Sequence, residues 1–452
     1  MTNQFSRRSF LAHSIAGPAA FSATWGSEPL ATAARPTRLV PASEKIRVGF
    51  IGVGGMGSGT LNGFLSHADV DVPALCDVYE PNLNQAREKV EKVRGTAPNV
   101  YKDFRHVLDR KDLDAVVVST PDHWHALPSI VACQAGKDVY CEKPLSYSIA
   151  EGQAMLKAAR YSKRVTQMGT QVHAGENYHR VVEIIRSGGL GKIHLCRVWI
   201  AMTRERDNRL GRPAESEPPT GLDWDFWLGP APKRPFNRNR FLFNFRWFWD
   251  YAGGVLSDMG CHIMDLVHWS MQVSAPLSAV SSGGRYATED NCETPDTQDV
   301  IYEYPGAAGK PAFNVVWSHM AANGHGFEGR GLGIAFFGDN GTLVADYGGY
   351  KIFPEKDRMD GWTEPEKSLP RSVGHHREFL DCLRSRTRCS CDWEYGHRLT
   401  SAVLLGNVAL KAGTKIRWDA ERQHCLDSAG KPDADANRFL SREYRAPWKL
   451  PV

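Results

Sequence analysis

The feature that most constrains how this chain can fold is a cluster of glycines directly after a short apolar run. Residues 45–51, Lys-Ile-Arg-Val-Gly-Phe-Ile, predict a buried parallel strand. Gly52, Gly54 and Gly57 follow it with the spacing GxGxxG. In that spacing the first glycine permits a tight turn, the second lets the backbone approach a pyrophosphate, and the third lets helix and strand pack closely. Because glycine-rich turns are frequent, a purely structural loop is the alternative.

An acidic residue favours the dinucleotide interpretation. A second predicted strand ends on Asp77, twenty residues after the third glycine. A carboxylate there can accept hydrogen bonds from ribose hydroxyls, while Gly54, Gly55 and Met56 present helix N-terminal N–H groups to the phosphates. Asp77 would repel a 2′-phosphate, and neither of the next two residues is an arginine. We therefore expect NAD as the cofactor, with NADP disfavoured.

The arrangement of strand and helix patterns predicts two domains of different class. Over residues 45–165 the two patterns alternate, which is typical of an α/β Rossmann domain with a doubly wound parallel sheet. From residue 166 to residue 452, several runs of β character predict an α+β domain with a largely antiparallel open sheet. Two late helices are expected, near 375–384 and 398–412.

The first 34 residues have the composition of an export signal. Ser6-Arg7-Arg8-Ser9-Phe10-Leu11 is followed by a weakly apolar stretch and then by small residues. This order predicts a twin-arginine signal peptide at 1–34, cleaved near Ala33 or Ala34, and a linker at 35–44. A disordered basic tail is the alternative. We expect the twin-arginine export machinery as a partner and an exported, periplasmic protein.

Charge and hydropathy argue against two classes of partner. The 55 basic residues are balanced by 51 acidic ones, and the two signs are interspersed, so the basic stripe that nucleic acids require is absent from the sequence. No apolar run reaches the length of about 18 residues that a membrane-spanning helix needs. We therefore expect neither nucleic acid binding nor a membrane span.

Residues that could perform chemistry follow the later strands of the first domain. Thr120, Pro121 and His125 come after one predicted strand, and Glu142 and Lys143 end the next. Open α/β sheets bind their ligands at this edge, so these residues are expected at the cofactor.

A carboxylate and an imidazole occur four residues apart in the second half of the chain. Asp258 and His262 follow a glycine pair, and on a helix their side chains would share one face. A carboxylate could then orient an imidazole, whose ordinary pKa near 6.5 suits proton transfer at neutral pH. A structural hydrogen bond is the alternative.

These motifs together resemble the Gfo/Idh/MocA family of sugar and cyclitol oxidoreductases, from Lys45 nearly to the end of the chain. They are the glycine turn, Thr-Pro-x-x-x-His at 120–125, Glu-Lys-Pro at 142–144 and Asp-x-x-x-His at 258–262. Residues 221–225 and 245–251 also look like exported members of that family.

The resemblance implies roles for three residues in hydride transfer between nicotinamide and a carbinol carbon. His262 would be the acid/base, Asp258 would position the substrate and the imidazole, and Lys143 would lie near the reacting hydroxyl and the nicotinamide ribose. In the family the Lys-Pro peptide is often cis. A salt-bridge lysine and a structural Asp/His pair are the alternatives.

Three further residues are candidates for contact with the sugar: Trp124, His179 and Trp249. Aromatic rings can stack on a pyranose face, although such residues more often pack in a core or an interface. The pair His375-His376 lacks the spacing of a metal site, so no metal is expected.

Three function classes stay open at this point. The first is an NAD-dependent oxidoreductase acting on a sugar, glycoside or cyclitol. The second is a redox-neutral glycosidase or lyase that uses tightly bound NAD for transient oxidation at C3, and the third is a sugar-binding protein without chemistry. A homodimer or homotetramer is expected.

Overall fold

Alternating strands and helices form the N-terminal unit of the computed structural model, which describes residues 45–201, 210–307 and 311–451. The predicted leader at 1–34 and the linker at 35–44 lie outside these residues. Six parallel strands form one sheet in the order β3-β2-β1-β4-β5-β6. They are β1 (Ile46–Ile51), β2 (Val70–Cys76), β3 (Asn99–Tyr101), β4 (Ala115–Val118), β5 (Asp138–Glu142) and β6 (Thr166–Gly169). This confirms the predicted doubly wound Rossmann fold.

Helices connect these strands and cover both faces of the sheet. They are α1 (Gly55–Leu65), α2 (Glu80–Arg94), α3 (Phe104–Leu108), α4 (Ala126–Gln134) and α5 (Ile149–Ser162). Strand β4 is buried along its whole length, because helices exclude water from both of its faces. The last strand, β6, lies just beyond residue 165 and completes the parallel sheet at its edge.

A second sheet follows, with strands in the order β13-β12-β11-β7-β10-β9-β8-β14-β15. The helices and strands that follow β6 in the chain are α6 (Glu176–Ser187), β7 (Leu195–Ala201), α7 (Trp224–Leu228), α8 (Gly254–Met271), β8 (Ser278–Gly284), β9 (Thr297–Tyr304), β10 (Phe313–Met320), β11 (Leu332–Phe337), β12 (Gly341–Ala345), β13 (Tyr350–Pro354), α9 (His375–Ser385), α10 (Trp393–Ala412), β14 (Ile416–Asp419), β15 (His424–Leu426) and α11 (Ala434–Asn437). Among the described strands of this second sheet only β7 and β10 pair in parallel, so the prediction of a largely antiparallel sheet is confirmed.

One face of this second sheet is packed against helices. Along β9 buried and exposed residues alternate, and Tyr302 and Tyr304 point into the core. Helix α10 approaches this face closely, because a Cβ added at Gly406 would lie 2.5 Å from the Tyr302 hydroxyl. Helix α8 packs beside α10 and carries Asp258 and His262.

Helix α9 belongs to the core of the N-terminal unit although it comes late in the chain. Phe379 and Leu380 are fully buried in a cluster with residues of β1, α1 and β2. The ring of Phe379 lies 6.1 Å from that of Phe64 on α1, in an edge-on contact. Helix α9 therefore brings its first residues, His375 and His376, to the carboxyl edge of the parallel sheet. Within the described residues, no helix has the length and apolarity needed to cross a membrane.

Candidate functional site

A cavity of about 1200 Å³ opens at the carboxyl ends of β1, β2, β4 and β5. Both units contribute to its walls. The residues that line it include the following from the sequence analysis: Gly52, Gly54, Gly55, Met56, Asp77, Thr120, Pro121, Trp124, Lys143, Asp258 and His262. A cavity of this size at this edge of a doubly wound sheet is where a dinucleotide and a substrate would bind together.

The glycines of the first turn have three different structural roles. Gly52 has φ +84°, and a Cβ there would lie 2.7 Å from the carbonyl carbon of Ser119. Gly54 precedes α1, and no side chain caps the helix, so its first N–H groups are open to the cavity. Gly57 does not line the cavity. A Cβ there would lie 2.2 Å from the Gly52 carbonyl oxygen, so this glycine allows α1 to pack on β1.

Asp77 is held at the end of β2 by backbone groups. Its carboxylate accepts hydrogen bonds from Val53 N and Tyr79 N, both at 2.9 Å. Burial raises the pKa of Asp77, while these backbone N–H groups act in the opposite direction. The hydroxyls of Ser119 and Thr120 are buried without a partner among the described residues. An open helix N-terminus, a ribose-side carboxylate and unpaired hydroxyls fit a bound dinucleotide.

A buried ion cluster lies at the other end of the cavity. Lys143 Nζ donates to Asp258 Oδ1 at 2.7 Å and to the Asp258 carbonyl oxygen at 2.8 Å. Arg246 Nε donates to the same Oδ1 at 2.9 Å. Burial alone would raise the pKa of Asp258, but the two cations hold it well below its usual range. Asp258 is therefore ionised, and the peptide between Lys143 and Pro144 is cis, as the resemblance implies.

His262 lines the same cavity, but its partner differs from the one we expected. In the described residues no hydrogen bond joins His262 to Asp258, so the expectation that Asp258 orients the imidazole is wrong. Thr170 Oγ1 lies 3.2 Å from His262 Nδ1 instead. Burial lowers the pKa of His262 to about 3, and the charge of Lys143 acts in the same direction. The ring is neutral at physiological pH, and its Nε2 has no hydrogen-bond partner among the described residues.

Two residues expected at the cofactor lie behind the cavity wall. His125 is buried, with its ring nitrogens 2.7 Å from the Pro144 carbonyl oxygen and 2.9 Å from that of Thr120. Glu142 is also buried, and its Oε1 accepts from the hydroxyl of Thr60 and the amide of Gln171. The side chains of His125 and Glu142 do not line the cavity, and they instead join the loops and helix that do.

The three sugar-contact candidates have different outcomes. Trp124 lines the cavity and donates from Nε1 to the carbonyl oxygen of Trp227 at 2.9 Å. His179 does not line it, because its ring nitrogens face backbone carbonyls and its ring packs edge-on against Trp269. Trp249 does not line it either, since its ring lies under the ammonium of Lys411 at 4.0 Å. The assignments of His179 and Trp249 to the sugar pocket are therefore corrected.

Sequence reasoning missed Arg246 and Thr170. Arg246 lines the cavity and lies over the rings of Phe243 and Phe245, at 4.4 and 4.7 Å from their centroids. Its position inside a run of aromatic residues was a usable signal, since a charge there must find a buried partner. Thr170, at the end of β6, offered no such signal. In the part of the chain that the structure describes, no group of His, Cys, Asp or Glu could hold a metal ion.

Buried histidines near the cavity predict an acid-sensitive fold. Burial lowers their pKa, to about 3 for His123, His262, His375 and His376 and to about 4 for His125. Below pH about 6.5 these histidines are protonated in the unfolded chain but stay neutral in the folded one. The free energy of unfolding therefore decreases by about 1.4 kcal/mol for each such group and each unit by which the pH is lowered.

Two carboxyls act in the opposite direction. Burial raises the pKa of Asp122 and of Glu142 to about 7, so folding gains stability from their protons as pH falls from 7 toward 4. The loss of stability from the five histidines exceeds the gain from the two carboxyls. We expect the Tm to be lower at pH 5 than at pH 7 by at least about 5 °C. A calorimetric scan that shows an equal or higher Tm at pH 5 would contradict this.

Two family models match this chain. One, described as an oxidoreductase family with an NAD-binding Rossmann fold, matches residues 46–170. The other, described as the C-terminal alpha/beta domain of the oxidoreductase family, matches residues 210–304 and 345–450. Both are models of the Gfo/Idh/MocA oxidoreductases, and together they cover well over half of the sequence.

Curated relatives match over a shorter stretch. The alpha-N-acetylgalactosaminidase of Shewanella oneidensis and glycosyl hydrolase family 109 protein 1 of Shewanella sp. (strain ANA-3) are each 31% identical over 159 residues. That stretch is 34% of this chain and 35% of each relative. The match therefore spans about a third of their length.

Solved structures share the fold over most of the chain. The WlbA dehydrogenase from Bordetella pertussis, in complex with NADH and UDP-GlcNAcA, has 19% identity and a TM-score of 0.59, covering 83% of this chain and 99% of its own. The scyllo-inositol dehydrogenase from Lactobacillus casei, with NAD(H) and scyllo-inositol, has 17% identity and a TM-score of 0.58, covering 82% and 99%. At these identities the likeness shows the fold.

Proposed function

Because this chain belongs to the Gfo/Idh/MocA family of oxidoreductases, we propose that it transfers hydride between NAD and a carbinol carbon of a sugar, glycoside or cyclitol. The observation that carries the proposal is one cavity with two ends. The glycine turn and Asp77 lie at one end, and Lys143, Asp258 and His262 lie at the other. A cofactor site and a proton-transfer site thus share a single space.

Each residue of the site has a distinct task in this reaction. Bound NAD would supply the hydride acceptor. His262 can take the hydroxyl proton at Nε2 when its ring proton is on Nδ1. In that tautomer the Nδ1–H group donates a hydrogen bond to Thr170 Oγ1. Lys143 uses two of its three N–H groups on Asp258, so the third can donate to the substrate hydroxyl. Asp258 and Arg246 fix the position of that ammonium.

Asp77 is expected to set the preference for NAD. In an Asp77→Asn protein the charge that repels a 2′-phosphate is gone, so the ratio of the NADPH Kd to the NADH Kd should fall by about tenfold or more. Fluorescence titration of both reduced cofactors measures this ratio. Val53 N and Tyr79 N donate to different oxygens of Asp77, so the Asn side chain can accept from one of them only, and circular dichroism is needed to show that the variant is folded. Tighter NADPH than NADH binding by the unchanged protein would overturn the assignment.

A redox-neutral cleavage is the second candidate, and the match to glycosidase relatives favours it. In that reaction a sugar is oxidised at C3, the substituent at C1 leaves as the acidified C2 proton is removed, water adds, and the ketone is reduced again. The cofactor ends as it began. Such chemistry suits an exported enzyme, because free NAD is not expected to be regenerated outside the cytoplasm.

Export and assembly belong to the same proposal. The order of residues in the first 34 positions supports twin-arginine export to the periplasm after folding. On the second sheet, Val280, Ile301 and Val316 form a row of cross-strand neighbours on the face opposite to the one that α10 covers, and Val280 and Ile301 are each at least 40% exposed. This apolar row supports a homodimer or homotetramer. Sedimentation of a monomer alone would exclude both.

One assay separates the candidate functions. Purified protein is incubated with free sugars, cyclitols and aryl glycosides, with and without added NAD, while NADH absorbance and aglycone release are followed together. NADH formation without aglycone release supports the oxidoreductase. Aglycone release without net NADH supports the redox-neutral cleavage. If a ligand binds but neither signal appears, the protein is a sugar-binding protein and the proposal fails.

A further inference from the structure

The wall of the cavity beside Asp77 is built by the second half of the chain. Residues 221–229, here called the clasp, lie across the loop that follows β2. Leu222 forms an antiparallel bridge with Tyr79. Backbone hydrogen bonds join Asp223 N to the Val78 carbonyl oxygen at 3.0 Å and Glu80 N to the Gly221 carbonyl oxygen at 2.9 Å. The clasp is therefore bonded to the residues directly after the proposed ribose-binding carboxylate.

The clasp is also packed against the strand end that carries Thr120. Phe226 stacks on Trp124 with centroids 5.5 Å apart and an interplanar angle of 9°. Trp124 Nε1 donates to the Trp227 carbonyl oxygen at 2.9 Å. At Gly229, with φ +50°, a Cβ would lie 2.1 Å from the Trp124 ring, so a larger residue would force the two apart. Trp124, Phe226 and Trp227 all line the cavity.

The C-terminal segment 442–448, here called the strap, holds the clasp from outside. Arg445 donates to Asp225 Oδ1 at 2.7 Å and to the Gly229 carbonyl oxygen at 2.9 Å. The Trp448 ring packs edge-on against Trp124, at 4.9 Å between centroids. At the other end of the strap, Arg442 is anchored on α5 through Glu151 at 2.8 Å. The clasp can move away from the cavity only if the contacts of the strap break.

We propose that the clasp and the strap retain the dinucleotide, so that NAD is a resident cofactor that does not exchange during turnover. This inference rests on the proposed NAD site and adds to it the elements that close its adenosine end. For the adenosine to leave past Asp77, the backbone bonds to Val78 and Glu80 and the stacking on Trp124 must open together. Simultaneous loss of several such contacts makes release slow.

Cofactor exchange tests the proposal without relying on turnover. The full-length protein is loaded with NADH, freed of unbound cofactor and mixed with excess NAD, and the loss of bound NADH fluorescence is timed. Arg445→Ala removes the three side-chain hydrogen bonds of Arg445 to the clasp, and Trp448→Ala removes the ring contacts with Trp124 and Phe226. Arg417→Ala is the matched control, because among the described residues the side chain of this exposed arginine donates to the Ser428 carbonyl oxygen alone, at 2.6 Å.

We expect exchange to be about tenfold faster or more in Arg445→Ala and Trp448→Ala than in the unchanged protein or the control. Near-ultraviolet circular dichroism shows whether each variant is folded. Asp225→Asn is a milder change, because it removes the ion pair with Arg445 and keeps the bonds of Arg445 to backbone carbonyls. Its exchange rate should lie between that of the unchanged protein and that of Arg445→Ala. Equal rates in all proteins, or an equal acceleration by Arg417→Ala, would overturn the proposal and leave the NAD site standing. If the purified protein contains no NAD or NADH and also binds no added NADH, both the proposal and the NAD site are overturned.

Discussion

Replacement of His262 by alanine is expected to lower kcat by about 10²- to 10⁴-fold while NADH still binds. The neutral ring of His262 can take the hydroxyl proton at Nε2, whereas the carboxylate of Asp258 is held between two cations. Steady-state rates on the best substrate from the assay above give kcat. Fluorescence titration gives the NADH Kd, which should change by less than about threefold.

A companion variant separates proton transfer from ring orientation. Thr170→Val removes the partner of His262 Nδ1 and leaves the acid/base in place, so its loss in kcat should be smaller than that of His262→Ala. If His262→Ala retains full kcat with bound cofactor, another group carries the proton. The assignment of His262 would then be withdrawn.

Replacement of Asp258 by alanine is expected to destabilise the fold as well as the activity. Lys143 and Arg246 would remain as buried cations, each with only about 5–15% of its side chain exposed. Removing one partner of a buried ion pair typically costs about 3–5 kcal/mol, because it leaves an uncompensated charge. A calorimetric scan should show a Tm lower by at least about 5 °C.

Asp258→Asn is the control that keeps the size and shape of the side chain and removes its charge. It keeps an acceptor for Lys143 and Arg246 but loses the negative charge, so its Tm should fall less than that of Asp258→Ala while kcat still drops. An unchanged Tm in Asp258→Ala would show that the two cations are solvated in the folded protein. That result would contradict the buried ion cluster described above.

The N-terminal unit could be predicted from sequence because its signals are local. A buried strand, a glycine turn and a helix follow one another within about twenty residues, and each constrains the next. Two parts could not be predicted this way. Strand β6 lies past the expected boundary at residue 165, and α9 joins the first core from a position about 300 residues after α1. Both depend on contacts between segments distant in sequence.

The same difference between local signals and contacts distant in sequence separates the two ends of the site. At the cofactor end, Gly52 and Asp77 line the cavity, since they act through their own backbone and strand, whereas His125 and Glu142 lie behind its wall. At the substrate end, Lys143, Asp258 and His262 came from the family resemblance, but their partners did not. Arg246 and Thr170 reach the cluster only through the tertiary fold. His179 and Trp249 were assigned by residue type alone, and the fold uses both for packing.

The most direct test of the account is isotope transfer into the cofactor. A substrate identified by the assay is prepared with deuterium on its reacting carbinol carbon and incubated with stoichiometric holoenzyme. The cofactor is then released by denaturation and weighed by mass spectrometry. The account predicts one deuterium in the nicotinamide of the unchanged protein and little or none with His262→Ala. If the substrate is oxidised without cleavage while the cofactor never carries deuterium, the cavity does not perform hydride transfer and the central claim is wrong.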